Sequence, residues 1–85
     1  MALLIEANGS EQTIHPQNKK RFSLEELQKF VGGYIERVPT QEPKDFLVNE
    51  EGLLKRWPMN GKASTLVGQM VVGPLVVLEG KERLK

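Results

Sequence analysis

Residues 23–33 spell out a helix that is closed at both ends. Ser23-Leu24-Glu25-Glu26 is a capping box. The Ser23 hydroxyl can accept from the Glu26 N–H, and the Glu26 carboxylate can reach back to the Ser23 N–H. Phe22 precedes the cap and can staple against Leu27. Leu24, Leu27, Gln28 and Val31 recur at helical spacing, with Phe30 beside them. Gly32-Gly33 then stops the helix in the left-handed conformation that a Cβ disfavours. About two and a half turns fit between these signals, too few to be stable alone in water. The helix must therefore lie on a sheet, and the rest of an 85-residue chain has to supply one.

The strand signals are short and numerous. Ala2–Ala7 is an apolar run that ends in Asn8-Gly9, the strongest signal for a two-residue hairpin loop. Glu11–His15 alternates, with Thr13 and His15 on one face and Gln12 and Ile14 on the other, and Pro16 ends it. Tyr34–Val38 and Asp45–Asn49 are further strands, bounded by Gly33, Pro39 and the Asn49–Gly52 turn. Leu53-Leu54-Lys55 reads as a return strand. Arg56–Lys62 is rich in turn signals, and Ala63–Val67 has room for one helical turn. Gln69–Glu79 reads as the last strand, with Gly73-Pro74 as a bulge or bend. Lys81–Lys85 is a charged tail. The expected fold is α+β, a small and mainly antiparallel sheet of five or six short strands with one helix packed on one face. Residues 1–85 form a single domain, with a hairpin over 2–15. The other face, or a sheet edge, is left for a partner.

Composition narrows the function classes. Cys is absent, which removes disulfides, thiolate metal sites and Cys nucleophiles. A single His cannot make a zinc site without carboxylates or a second chain. Twelve Lys and Arg against eleven Asp and Glu is not the charge footprint of a dedicated DNA or RNA binder. No apolar run approaches the ~20 residues of a membrane span. The start, Ala2-Leu3-Leu4-Ile5, lacks the basic region and cleavage site of a secretion signal. The expected compartment is the cytoplasm. A chain this small buries only about 60–65% of its unfolded surface. A homo-oligomer with Met70–Leu78 near the contact is therefore expected.

Residues able to hold a ligand are few. Trp57 could stack a base, with Arg56 beside it for a phosphate, or it could be core. Tyr34 has the same two readings. Asn49 and Glu50 could bind ribose hydroxyls or a base edge, or belong to a solvated turn. Asn60 and Lys62 could close over an anion across Gly61. Lys20 and Arg21 belong to the basic run Lys19–Arg21, either a solvated loop or a phosphate contact. Gly32-Gly33 follows a helix instead of preceding one, so it is not a phosphate loop. One Asp and one His offer no catalytic triad. No catalytic residue, metal ligand or cofactor is expected.

Leu24–Glu36, Val48–Gly52, Pro58-Met59-Asn60 and Gly73–Val77 together resemble the pattern of a short domain family of unknown function. That family is common in phage and plasmid genomes. The resemblance covers about residues 22–78. It implies an accessory protein of a virus or mobile element. By analogy of source and size, it implies a non-enzymatic sponge that sequesters a nucleotide-type immune signal of the host. The alternative is a protein-interaction module that inhibits a host defence protein directly. Trp57, Arg56 or the basic run in a pocket lined by two chains would favour the first reading, and a broad exposed apolar patch the second.

Overall fold

The computed structural model describes residues 2–18 and 21–84. Five strands form one antiparallel sheet: β1 (Ala2–Ile5), β2 (Glu11–Ile14), β3 (Ile35–Val38), β4 (Lys44–Asn49) and β5 (Leu75–Glu79). Their spatial order is β2-β1-β5-β4-β3. Two hairpins, β1–β2 and β3–β4, are thus joined by β5 between them. Helix α1 (Leu24–Val31) packs on one face, as the α+β reading expects.

The central strands carry near-continuous apolar runs because both of their faces are covered. On the α1 face, Ala2, Leu4, Leu47, Val76 and Leu78 pack against Phe22, Leu27 and Val31. On the other face, Ile5, Phe46, Leu75 and Val77 pack against Ala63 and Val71. Ala63 belongs to a second helix, α2 (Gly61–Val67). The expected single helical turn is therefore longer, and the second face is partly roofed.

The α1 signals hold in detail. Ser23 Oγ accepts from the Glu26 N–H at 3.1 Å, and Glu26 accepts from the Ser23 N–H at 2.8 Å. Gly32 closes the helix with φ 79°. The Glu26 carboxyl is held below its ordinary range, chiefly by the Ser23 N–H and then by that of Gln17. A depressed carboxyl stabilises above its unfolded value, and that stabilisation is lost as pH falls through the folded value. Ser23→Ala should cost about 0.5–2 kcal/mol in chemical denaturation. An unchanged midpoint would mean the cap contributes nothing.

Four expectations change. The hairpin loop is three residues, not two. Glu6 and Ser10 close it with an N–H to carbonyl bond of 2.9 Å, and only Gly9 adopts positive φ. This is the turn-plus-bulge form of hairpin loop. Leu53-Leu54-Lys55 is not a strand; the chain turns from Glu50 to Arg56. The last strand begins at Leu75, because Gly73 at φ 72° and Pro74 bend the chain before it. β5 is paired on both sides and Leu75–Leu78 are buried, so within Met70–Leu78 it is Met70, not the strand, that stays exposed. The tail makes a short 3-10 turn (Gly80–Glu82) and returns Leu84 to the α1-side cluster. Lys85 and the Lys19-Lys20 part of the basic run lie outside the described residues.

Candidate functional site: a groove beside a free sheet edge

β3 is the outer strand of its hairpin and, among the described residues, pairs with β4 alone. Its register, Glu36 opposite Val48 and Val38 opposite Phe46, puts Glu36 and Val38 on the α2 face. The turn after β4 is drawn in at Gly52, where a Cβ would come within 2.9 Å of Val72 Cγ2. Val72 in turn bridges to Met59. Between this turn, β3 and the segment after α2 lies an open groove of about 190 Å³. Val38, Val48, Leu53, Met70, Val71 and Val72 form its apolar walls, and Glu36 and Glu50 add negative charge. Leu53 and Met70 remain 66% and 63% exposed. Leu54 and Met59 are also exposed.

The structure places the sequence-expected residues in several different roles. Glu50 is exposed on the groove wall, and its N–H donates to the Tyr34 carbonyl at 2.8 Å. Tyr34 is itself exposed. Asn49 borders the groove, but its amide is spent internally. It donates to the Val31 carbonyl at the end of α1 and accepts from the Glu51 N–H. Asn60 is wholly buried: it caps α2 and binds two distant carbonyls. It is a structural pin, not an anion clasp.

Trp57 is half-buried and does not line the groove. Its ring lies against Gly32 and Gly73, where a Cβ would approach it to 3.1 and 2.5 Å. The Lys55 ammonium stands over the ring, 5.1 Å from its centre. A stacking base would have to displace that cation. The site also adjoins the C-terminal end of α1, whose partial charge is negative and repels phosphate. Arg56 is exposed at φ 54°, the one described non-Gly residue with positive φ. Lys62 has a different role: it pairs with Glu11 and donates to the Gly9 carbonyl. Arg21 is exposed, with its N–H on Asn18. Lys20 lies outside the described residues.

Sequence reasoning missed Leu53, Met70, Val38 and Val48 as groove walls. Their only local signal is the pair of leucines, Leu53-Leu54, in a turn-rich segment.

A second hollow, about 330 Å³, lies at the β3–β4 connection. Arg37, Lys44 and Arg83 line it, with Thr40 and Glu42. Behind it Asp45, fully buried, accepts from Arg37 at 3.1 Å, Arg83 at 3.4 Å and the Leu84 N–H at 2.6 Å. Among the described residues no group of three or more His, Asp or Glu side chains is placed to hold a metal. No helix among them is long and apolar enough to cross a membrane.

These features define a small α+β domain with an apolar groove and a basic cleft at one free edge of its sheet. The chain belongs to the family described as Domain of unknown function (DUF3846), which matches residues 1–84. The match takes in the N-terminal hairpin and the tail as well as the 22–78 stretch. No curated protein and no solved structure matches the chain.

Proposed function

We propose that this is a non-catalytic binding protein that takes a protein partner on the groove beside β3. In the mobile-element setting that the sequence resemblance implies, the partner is a host defence protein. One observation carries the reading. Leu53 and Met70 stay largely exposed on the walls of an apolar groove in a chain that has little core to spare. A contiguous exposed apolar surface of this kind is what protein contacts use. The nucleotide-sponge reading keeps one supporting feature, the Lys55 cation over the Trp57 ring, with Arg56 exposed between them in the chain.

A photo-crosslinking residue in place of Met70, expressed in host cells, tests the choice. The expected result is one dominant protein adduct, lost when Leu53→Asp is added and retained with Trp57→Ala. Native mass spectrometry of protein incubated with infected-cell extract supplies the opposing outcome. A retained nucleotide-sized mass, lost with Trp57→Ala and kept with Leu53→Asp, would overturn the proposal in favour of a sponge.

A further inference from the structure

The backbone groups that β3 turns to solvent can be named. Glu50 N–H donates to the Tyr34 carbonyl, so this pair faces inward. Hydrogen-bonding residues alternate along an antiparallel pair. Glu36 and Val38 therefore also bond toward β4, and Ile35 and Arg37 turn their N–H and C=O outward. The apolar groove and the basic cleft flank this same edge and share Val38 and Pro39. Glu36 and Val38 lie on the groove side of the sheet. Arg37, opposite Leu47, lies on the α1 side with Arg83. In the cleft, two guanidiniums share the single carboxylate of Asp45, and the Arg83 Nε is buried with no acceptor.

We propose that β3 accepts an extended segment of the partner as a sixth strand. An apolar side chain of that segment enters the groove. An acidic side chain, an odd number of residues away, meets Arg37 and Arg83. Added strands are held by main-chain bonds and selected by pockets for alternate side chains, which is the arrangement on this edge. The inference rests on the binding reading above and specifies its occupant.

A second copy of this chain is a poor occupant. A two-fold axis perpendicular to the sheet keeps each face on its own side, so only residues of like parity can oppose. One such register sets Glu36 against the partner's Glu36, and like charges directly opposite destabilise. The next register sets Arg37 against the partner's Arg37, and Ile35 against the partner's Pro39, which has no N–H. The attractive register, Glu36 against Arg37, would need the two side chains on opposite faces.

The test uses synthetic peptides on the intact protein. The probe is acetyl-Thr-Val-Asp-Val-Glu-Val-Thr-amide, with an analogue in which Lys replaces both acids. Two further isomers carry three N-methyl groups each, one on its three valines and the other on Asp, Glu and the last Thr. Calorimetry should show the Lys analogue binding at least ten-fold more weakly than the acidic probe. The two methylated isomers should differ by at least ten-fold, because only one set faces β3. Hydrogen exchange at Ile35 and Arg37 N–H should slow with the acidic probe. Equal affinity of the two isomers, or of the acidic and Lys peptides, overturns the inference. So does protection at the β2 edge, no binding by any peptide, or protection at Ile35 and Arg37 that rises with protein concentration alone. If one of these occurs while the Met70 adduct still depends on Leu53, strand addition is wrong and the binding reading stands.

Discussion

Asn60→Ala should remove a large share of the protein's stability. The Asn60 side chain is fully buried, and its three hydrogen bonds reach three parts of the fold. Its Oδ1 accepts from the Ala63 N–H at 3.0 Å and caps α2. Its Nδ2 donates to the Ile5 carbonyl at the end of β1 and to the Gly73 carbonyl before β5, each at 2.9 Å. Losing the cap costs about 0.5–2 kcal/mol. Each carbonyl left buried without a donor costs roughly 1–3 kcal/mol more. Together the loss is about 3–5 kcal/mol, allowing for some access of water to the cavity. A chain of this length has roughly 4–13 kcal/mol in all. Asn60→Asp keeps the acceptor but loses both donations and faces a carboxylate with two carbonyl oxygens, so it should be no better. Urea denaturation at neutral pH measures both. A loss under about 1 kcal/mol for Asn60→Ala would show that water replaces the amide and that Asn60 is not a pin.

Asn60 also shows where sequence reading stops. Asn before Gly reads equally as a turn or as the cap of a following helix. Only the second reading needs the residue inside. The distinction depends on Ile5 and Gly73, 55 and 13 residues away. Helix α1 was legible because its signals are local: the cap, the staple and Gly32 all lie within eleven residues. The strands of both hairpins were legible for the same reason, each being adjacent in sequence to its partner. β5 was legible as a strand but not as the centre of the sheet, since its partners β1 and β4 are distant. Its unbroken apolar run, Leu75–Leu78, did carry the signal of burial on both faces. The apolar groove was the least legible feature. Val38, Leu53 and Met70 belong to three separate segments, and no periodicity links them. Trp57 was legible as a half-polar ring. Its seat against Gly32 and Gly73 gives those glycines a packing role beside the turn role that their positive φ requires.

The largest electrostatic effect should come from Arg37→Gln with Arg83→Gln, not from changing the acid that they share. Asp45 is fully buried, whereas the side chains of Arg37 and Arg83 are 55% and 35% exposed. Removing both cations strands a carboxylate away from water, with the Leu84 N–H as its remaining strong donor. Breaking a buried pair in this way costs about 3–5 kcal/mol. Asp45→Asn leaves two guanidiniums that can turn to solvent. The new amide oxygen can still accept from Leu84, so the loss should be about 1–2 kcal/mol. The asymmetry follows from which partner can reach water, not from the strength of the bonds. Denaturation midpoints of the two variants at neutral pH check it, with each single Arg variant falling between wild type and the double. Should Asp45→Asn prove the more damaging, the carboxylate would be stabilising the fold through its bonds by more than its burial costs. Circular dichroism should show the sheet intact in Asp45→Asn. In that variant the basic cleft should also lose its fixed geometry, because Asp45 is what holds the two guanidiniums side by side. Binding of the acidic peptide should then weaken by more than the small loss of stability explains.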